Sequence, residues 1–416
     1  MEFKPSCHNK IIKLIDGGVD IPNPLTLDIG EEVNVAQISG NGVKIYPGCR
    51  IYGEKTVIAE GAQIGSEGPV TIQDCQIGPK VELKGGYFKG SVFLEKANMG
   101  LGAHVREACI LEEQANGAHC VGLKQTILFP FVTLGSLINF CDCLMAGGTS
   151  RKDHSEVGSS YIHFNFTPEG DKTTGSLIGD VSRGVMLNQP AIFLGGQGGI
   201  VGPARLGYGN VVAAGTIVRG DFPEDNKLIV GKSHRGRVID FVPNRYSAVS
   251  RVVENNILYL ANLVALEQWY LHVRKSFFHA QEFGELIYLG VLDKLALAKA
   301  ERIKRLKAMA AKMPASLENT RTDSRSKGRR EFNEKVEEAC GLFEGDVASD
   351  DDATDRDSFL ASLDTYRKDN EGGYLEIIQG LPDAVSLEGV SWLYHIVDGF
   401  CRKTKAILPS LGLFKA

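Results

Sequence analysis

The sequence predicts a parallel β-helix of hexapeptide repeats followed by an α-helical C-terminal region, and three observations support this prediction. Most of the 48 glycines lie before residue 240, interleaved with valine, isoleucine and leucine. After Pro243 the apolar residues fall three and four positions apart, which is the helical period. Before that point aliphatic residues recur six positions apart, as in Ile58, Ile64 and Val70, in Val132, Ile138 and Leu144, and in Ile200, Leu206, Val212 and Val218.

A period of six fits a triangular coil, because each short strand places one aliphatic side chain inside and then turns a corner. Three such strands close a coil of about 18 residues, and stacked coils pair their backbones roughly 4.8 Å apart. Residues 31–232 are therefore expected to form roughly ten coils. Residues 1–30 are expected to cap one end of this solenoid, whose ends would otherwise be exposed.

The C-terminal residues carry helical patterns separated by polar stretches. Residues 249–314 predict a long helical hairpin, which Pro314 ends. A last helix is expected near 391–408, where an apolar stripe indicates a packed core rather than a cofactor site. Around these elements we predict a linker at 233–248, a second linker at 315–330, and a C-terminal helical region at 331–416 that contains an acidic loop at 344–357.

The composition argues against several classes of protein. With a net charge of −5 and a pI of about 6.0, the chain has no overall field that would attract nucleic acid or an anionic membrane. Nine scattered cysteines, an odd number without framework spacing, predict reduced and mostly buried thiols. Cys141-Asp142-Cys143 has too few neighbouring ligands to predict a zinc site, so no metal is expected. Because neither a signal-peptide pattern nor a run of 18 apolar residues occurs, a cytoplasmic location is expected.

One segment breaks the repeat and collects chemically active residues. Arg151 to Asp180 interrupts the hexapeptide rhythm with a loop rich in histidine, asparagine, lysine, arginine and acidic residues. Solenoids place such insertions on one face, often the functional one. Two groups of residues stand out. The first consists of Asn165-Phe166, Lys172 and Leu177-Ile178-Gly179-Asp180. The second, further along the chain, is the alanine-containing run from Gly209 to Val218.

These residues resemble the acetyltransferase domain of the bifunctional glucosamine-1-phosphate acetyltransferase / N-acetylglucosamine-1-phosphate uridylyltransferase family. The resemblance covers about residues 130–232, with weaker hexapeptide likeness back to residue 31. It implies a left-handed β-helix, a homotrimer and active sites between neighbouring subunits. It also implies acetyl-CoA or another acyl-CoA as co-substrate, bound near Ala213, Ala214, Gly215, Thr216 and Lys232.

The loop supplies the other site residues. His154 is the candidate general base, because histidine titrates near neutrality and Asp153 or Glu156 could orient its ring. An exposed loop histidine is the alternative interpretation. His163 is held in reserve, since its apolar surroundings also fit a buried structural histidine. Substrate binding is expected from Arg151, Tyr161, Asn165, Lys172 and Arg183.

The departures from the family pattern leave the substrate open. The small-residue run before the asparagine reads Ser159 to His163, and Phe193 to Gly199 is an extra segment. Uridylyltransferase (pyrophosphorylase) activity is not expected, because nothing before residue 31 supplies the glycine-rich nucleotide-binding domain that it needs.

Together these features predict an acyl-CoA-dependent acyltransferase acting on a sugar phosphate or nucleotide sugar between the subunits of a trimer. Two alternatives from other classes stay open. One is a non-catalytic β-helix that binds a nucleotide sugar, and the other is a scaffold whose β-helix only trimerises the helices. The long helical extension keeps both alternatives open, because the resemblance does not cover it.

Overall fold

The computed structural model describes residues 7–231, 236, 238, 240–318, 326–345 and 353–415. From Asp28 to Ile229 the chain winds into a parallel β-helix with triangular coils. The helices that follow from Val249 onward pack against one side of it. The predicted fold class, a left-handed parallel β-helix followed by an α-helical region, is confirmed.

Most coils contribute one strand to each of three faces. The first face is a ten-stranded sheet of Lys44–Ile45, Gln63–Ile64, Glu82–Leu83, Asn98–Met99, Asn116–Gly117, Thr133–Leu134, Glu156–Val157, Phe193–Leu194, Val211–Val212 and Leu228–Ile229. The second face comprises Asp28–Ile29, Arg50–Tyr52, Val70–Gln73, Gly86–Lys89, Ala103–Val105, the first halves of Gly122–Leu128 and Asn139–Met145, and then Ile162–Phe164, Gly199–Val201 and Ile217–Val218. The third face comprises Val57–Ile58, Gln76–Ile77, Ser91–Phe93, Cys109–Leu111, the second halves of the same two long strands, Ser176–Ile178 and Arg205–Leu206.

The interior of the prism is a stack of side-chain ladders, as the period of six predicts. Successive coils bring inward residues into register, and each ladder is buried. His163 is the polar member of the ladder on the second face, where it follows Phe140. That ladder runs Ile29, Ile51, Ile72, Phe88, Val105, Leu123, Phe140, His163, Ile200 and Val218.

The third face is apolar on both of its sides. Its strands carry adjacent buried residues, because one side chain points into the coil and its neighbour points outward beneath the helices. A strand covered on both sides is expected to be continuously hydrophobic. The pairs are Val57-Ile58, Ile110-Leu111, Ile127-Leu128, Leu144-Met145 and Leu177-Ile178. The helical region therefore covers a surface that would otherwise expose these residues to water.

Ten α-helices are present in the described residues. They are α1 (His8–Asp16), α2 (Val181–Gly184), α3 (Val249–Trp269), α4 (Lys275–Phe278), α5 (Gly284–Ala310), α6 (Met313–Glu318), α7 (Ser326–Gly341), α8 (Ala353–Asp369), α9 (Tyr374–Gln379) and α10 (Asp383–Ile407). A π-helical turn, Tyr270–Arg274, joins α3 to α4. Short 3₁₀ turns occur at Pro24–Thr26, Val35–Gln37 and Pro409–Leu411.

The element boundaries differ from the sequence prediction in three places. The first strand begins at Asp28, inside the predicted cap at 1–30, and α1 folds over that end of the prism. The Lys10 ammonium on α1 donates hydrogen bonds to three backbone carbonyls between residues 30 and 33. The predicted linker at 315–330 contains the end of α6 and the start of α7, and its residues 319–325 lie outside the described residues. Of the acidic loop at 344–357, residues 346–352 lie outside the described part, and α8 begins at Ala353.

Helix α5 packs against third-face strands of several coils. Near its start Asp293 lies 3.8 Å from Lys55, which belongs to an early coil. Nine residues later Arg302 donates to Asp142, several coils further on. Contacts of α5 therefore extend over several coils of the third face.

A buried ion pair fixes the π-helical turn to the prism. The Arg274 guanidinium donates to both carboxylate oxygens of Glu113, at 2.5 and 3.1 Å. Its Cζ atom also lies 3.7 Å from the ring centre of Tyr374 on α9. Next to it, the Tyr270 hydroxyl hydrogen-bonds to the buried Glu112 carboxylate. Burial raises the pKa of Glu112 to about 7 against the opposing effect of the guanidinium.

Candidate functional site

A cleft of about 410 Å³ lies on the outer side of the second face. Outward residues of three successive coils form it, since His104 pairs with Gly122 and Gly122 pairs with Asn139. Because Gly122 has no side chain, the space between the His104 and Asn139 side chains stays open. Arg106 and Cys141 also line the cleft, so its walls combine polar groups with apolar ones.

The cleft is electropositive. Burial and the neighbouring Asp142 raise the pKa of the Cys141 thiol to about 11, whereas Arg106, Lys124 and Lys172 act to lower it. These three cations therefore lie within electrostatic reach of Cys141. Of these three cations, Lys124 is the one that forms an ion pair with a carboxylate of the described residues, Glu107 at 3.9 Å. Two cations without carboxylate partners make the cleft suited to an anionic ligand.

Two exposed histidines lie at the cleft. The ring centre of His104 is 5.1 Å from that of Tyr87 on the preceding coil. At the corner beside the cleft, Nδ1 of His119 lies 2.8 Å from the hydroxyl oxygen of Ser136. Both imidazoles are accessible from solvent, so a molecule bound in the cleft can contact them.

The loop that bears Lys172 leaves the second face and returns to the prism on the third face. Lys172 has a left-handed backbone, with φ of +58°. Its N–H donates to the Thr167 hydroxyl at 3.2 Å. Asn165 is half-buried at the start of the same loop. The Lys172 carbonyl and Asp142 accept hydrogen bonds from the same guanidinium, that of Arg302, so this part of the loop lies next to the corner that follows Cys141.

His154 lies at a different corner, between the third and the first face. It belongs to a β-hairpin of strands Gly148–Ser150 and Asp153–His154 that projects from the coil. Its Nδ1 is 3.0 Å from the carbonyl oxygen of Arg151, and its Nε2 is 3.8 Å from Oε2 of Glu156. Of the two acidic residues proposed to orient this ring, Glu156 is the one that faces it.

The two arginines predicted to bind substrate already have partners within the chain. The Arg151 guanidinium donates to two backbone carbonyls of earlier coils and to the Thr133 hydroxyl, the last at 2.8 Å. Arg183, on α2, donates to Asp180 at 2.8 Å and to Asp225 at 2.5 Å. Both guanidinium groups therefore brace the corners of the prism, and a substrate would have to compete with these partners.

Tyr161 and His163 lie inside the prism. Tyr161 is fully buried, with its ring centre 6.1 Å from that of Phe140, and burial raises the pKa of its hydroxyl. Nε2 of His163 lies 2.7 Å from the Ser176 hydroxyl oxygen. Burial also lowers the pKa of His163 to about 4, so its imidazole is neutral at pH 7. Neither side chain reaches the outer surface where a substrate would bind.

The residues predicted to contact the acyl-CoA form an exposed corner between the first and the second face. Ala214 and Gly215 are exposed, and the φ of Gly215 is +72°. Ala213 is half-buried, and the buried Thr216 hydroxyl accepts a hydrogen bond from the Gly231 N–H at 3.0 Å. Lys232 lies outside the described residues.

The predicted site residues are thus spread over three corners of the prism. Lys172 and Asn165 lie at the corner beside the cleft, between the second and third faces. His154 lies between the third and first faces, and Ala214 between the first and second. Among the described residues of one protomer, the predicted base, acceptor and acyl-CoA residues therefore do not meet in one pocket.

The sequence analysis missed His104, Arg106 and Asn139 as site residues. The sequence did contain a pattern that predicts two of them. Val105 is an inward residue, and both neighbours of an inward residue in a strand point outward, so His104 and Arg106 are expected on the outer side. A glycine at the matching outward position of the next coil, Gly122, marks the open space. The insertion at 151–180 drew attention instead, because it is the most conspicuous break in the repeat.

Among the described residues no group of three His, Cys, Asp or Glu side chains is arranged to hold a metal ion. Cys141 and Cys143 lie on different faces, because Asp142 occupies the corner between them with φ of +60°. In the same part of the chain, no helix combines the length and the apolarity that crossing a membrane requires.

Comparisons with known proteins found relatives over about half of the chain. No protein-family model matches the chain. It is similar to the Bifunctional protein GlmU of Thermotoga maritima, with 27% identity over 215 residues that cover 51% of this chain and 42% of that protein. The GlmU proteins of Trichlorobacter lovleyi (27% over 219 residues) and Pelobacter propionicus (28% over 217 residues) each match 52% of this chain and 42% of their own length. The chain thus spans less than half the length of the curated relatives it matches.

Among solved structures, LpxA from Acinetobacter baumannii aligns with 67% of this chain and 95% of its own chain, at 11% identity and a TM-score of 0.21. A score this low adds no argument about the site.

Proposed function

Because the chain belongs to the hexapeptide-repeat superfamily, we propose that it is an acyl-CoA-dependent acyltransferase acting on a sugar phosphate or a nucleotide sugar. The observation that carries the proposal is the electropositive cleft between His104 and Asn139, which offers an anion site beside a histidine. Arg106 and Lys172 suit a phosphate group, because guanidinium and ammonium groups donate charge-assisted hydrogen bonds to its oxygens. Acetyl-CoA is the first co-substrate to test, and the reaction needs no metal.

A homotrimer is part of this proposal. The third face is covered by the chain's own helices, so the first and second faces are the ones free for another subunit. Large apolar side chains are exposed on the last coils of both free faces, and such clusters are typical of interaction surfaces. They are Phe193, Val211 and Leu228 on the first face and Ile162 and Ile217 on the second.

Trimerisation would also complete the site. The Ala213–Thr216 corner lies between the two free faces, so a neighbouring subunit packed there would share it. The acyl-CoA would then be held by this corner of one subunit, and the acceptor phosphate by the Lys172 side of the neighbour. This arrangement explains why one protomer does not collect all the predicted residues.

The proposed chemistry is proton abstraction by a histidine during attack on a thioester. The acceptor nitrogen or oxygen forms a bond to the acyl carbon, its proton passes to an imidazole nitrogen, and the C–S bond breaks to release the coenzyme A thiolate, which then takes up a proton. His154 is the proposed base, since Oε2 of Glu156 lies 3.8 Å from its Nε2 and can orient the ring. His104 is the competing candidate, because it lies in the cleft itself.

A nucleotide-sugar-binding scaffold is the second candidate function. It is favoured by the separation of the predicted base His154 from the cleft, because His154 lies on a hairpin at another corner of the same protomer. In this alternative the cleft binds the anionic ligand, but no acyl donor is used.

Ligand-induced stabilisation together with an assay of thiol release distinguishes these functions. For an acyltransferase, acetyl-CoA and a UDP-sugar or sugar phosphate should each raise the melting temperature, and free coenzyme A should appear only when both are present. Stabilisation by the sugar alone, without thiol release, would indicate the binding scaffold. If neither ligand stabilises the protein, both proposals are wrong and a purely structural role is left.

A further inference from the structure

The loop that carries Lys172 is held by the helical region from several directions. Residues 167–174 form hydrogen bonds with two helices, α3 and α5, with the segment that precedes α3, and with the turn between α5 and α6. These are Tyr246 to the Asp171 carboxylate at 2.6 Å, Asn256 to the Thr173 carbonyl at 3.1 Å, Arg302 to the Lys172 carbonyl at 3.0 Å, the Thr173 hydroxyl to Met309 at 3.6 Å, and Lys312 to the Glu169 carbonyl. The conformation of the loop therefore depends on residues far along the chain.

Arg302 is the contact that also reaches the coil behind the cleft wall. One guanidinium nitrogen donates to the carbonyl oxygen of Lys172, and the other donates to Oδ1 of Asp142 at 2.7 Å. Asp142 follows Cys141, which lines the cleft, and its second carboxylate oxygen accepts from the Thr174 hydroxyl at 3.2 Å. A single buried side chain therefore joins the cleft wall, the loop and α5.

The backbone near the loop leaves room for the Arg302 side chain. At Gly175 a Cβ atom would lie 3.2 Å from both Cδ of Arg302 and the Tyr259 ring, so a side chain at this position would crowd the guanidinium. Lys172 has a left-handed φ, which costs energy for a residue other than glycine and is kept only when its surroundings hold it. The hydrogen bond from Arg302 to the Lys172 carbonyl is one of these restraints.

Stability alone does not account for the pair of Arg302 and Asp142. Both side chains are almost completely buried, at 2% and 6% exposure. Removing two charges from water offsets much of their attraction, so apolar groups would often serve folding equally well. What the pair adds is a fixed geometry, because a planar guanidinium with two acceptors allows few orientations.

We infer that Arg302 is a positioning residue, through which the helical extension holds Lys172 at the acceptor side of the cleft. This inference rests on the proposed function for its catalytic meaning. Its structural content is independent of that function, because it predicts that the loop loses order when the guanidinium is removed. It also assigns a role to the helical region, which orders one loop of the β-helix.

The test uses the full-length chain and two readouts. Arg302→Met combined with Asp142→Asn removes both charges together, so that neither is left buried and unpaired. Hydrogen exchange measured on peptides covering residues 165–176 should become about tenfold faster or more, the equivalent of one lost hydrogen bond of moderate strength. The acceptor KM should rise by a similar factor, while the KM for acyl-CoA stays unchanged.

Arg302→Lys is the second variant, for use should the double variant not fold. A lysine can still pair with Asp142 but cannot also reach the Lys172 carbonyl in the same geometry, so loop exchange should again accelerate. The matched control is Arg274→Met with Glu113→Gln, which removes a buried ion pair between the same two regions away from this loop. The control should leave the exchange of residues 165–176 unchanged.

Wild-type exchange rates of residues 165–176 in both Arg302 variants would overturn the inference. So would equal acceleration in the control, because the effect would then reflect general loosening of the helical region. If no acceptor is turned over by the wild type, yet loop exchange accelerates only in the Arg302 variants, the proposed function fails while the ordering role of Arg302 stands.

Discussion

Nε2 of His163 lies 2.7 Å from Oγ of Ser176, which links the second and third faces across the inside of the coil. The Ser176 hydroxyl donates in turn to the Thr174 carbonyl and accepts from the Ala204 N–H. The imidazole therefore takes part in a buried polar network in the middle of an apolar ladder, where a charged imidazolium would be costly because it is removed from water.

Stability should consequently fall in mild acid. Burial lowers the pKa of His163 to about 4 from its unfolded value of 6.5, so the folded protein binds fewer protons than the unfolded chain. The stabilisation is fully present above pH 6.5 and is lost as the pH falls toward 4, by roughly 3 kcal/mol in total. Denaturant unfolding compared near pH 7.5 and pH 5 measures this loss.

His163→Leu is the control for this effect, because leucine suits the ladder and the Ser176 hydroxyl keeps its other partners. We expect the variant to lose less stability than the wild type between the two pH values. An equal loss in both proteins would show that other groups cause the acid sensitivity.

His154→Ala should lower turnover by roughly 10²- to 10⁴-fold, because that is the usual contribution of a positioned base. Acetyl-CoA binding should not be weakened. Steady-state kinetics of coenzyme A release measures the turnover. His395→Ala is a matched control, since His395 is also paired with a carboxylate, at 2.5 Å from Asp355, but lies on α10. Turnover of this control should be unchanged.

The same measurement on His104→Ala decides between the two candidate bases. Normal turnover in His154→Ala with a large loss in His104→Ala would move the base to the cleft. Unchanged turnover in both variants, and in His163→Leu as well, would exclude catalysis by these three histidines.

Lys172→Met should raise the KM of a phosphorylated acceptor by about tenfold while kcat changes little, because the ammonium binds the anion in the ground state and in the transition state alike. The increase should shrink at high ionic strength. Lys80→Met is the matched control, since Lys80 has a comparable left-handed φ of +55° at a corner away from the cleft. An equal rise in the control would remove Lys172 from the acceptor site.

Leu228→Glu should dissociate the proposed trimer, because it places a charge in the apolar surface of the last coils. Light scattering should give three times the chain mass of 45.1 kDa for the wild type and a smaller mass for the variant. Leu387→Glu serves as the control, with 66% exposure against 70% for Leu228, but on α10. A monomeric wild type would remove the proposed intersubunit site.

Truncation after residue 243 should yield an aggregating protein, because it uncovers the outward apolar residues of the third face. Size-exclusion chromatography of the soluble fraction tests this. A truncated chain that also carries Val92→Lys and Ile127→Lys should recover solubility, since both side chains point outward beneath the helices. If the plain truncation is soluble and monodisperse, the helices merely dock on the prism.

The β-helix was predictable from sequence because its interior imposes a rigid period. Residues such as Ile64 and Leu206 face inward as the spacing of six predicts. The sequence also indicates that the third face is covered on both sides, because its strands contain adjacent apolar pairs such as Ile110-Leu111 and Ile127-Leu128. A strand with one solvent-exposed side would alternate instead. Which helix covers that face was not predictable, because this depends on contacts such as that of Arg302 with Asp142, 160 residues apart.

The candidate site was less predictable, because the residue type does not indicate whether a side chain points into the coil or toward solvent. His163 and His154 are equally plausible bases by chemistry, yet one points into the coil and the other projects from a hairpin. Direction depends on the strand register, which the insertion before His163 obscures. Arg183 likewise looks free in the sequence, since its partner Asp225 is supplied by a later coil.

The course of α5 along the third face has a consequence for cooperativity. In a plain solenoid each repeat touches only its neighbours, so end coils can fray while the middle stays folded. Here a single helix contacts coils from Lys55 to Asp142, which adds couplings that skip over several repeats. Unfolding of any one of these coils must also remove part of the surface against which α5 packs. We therefore expect these coils and α5 to melt as one thermodynamic unit, whereas the last strands, around Leu228, can open locally.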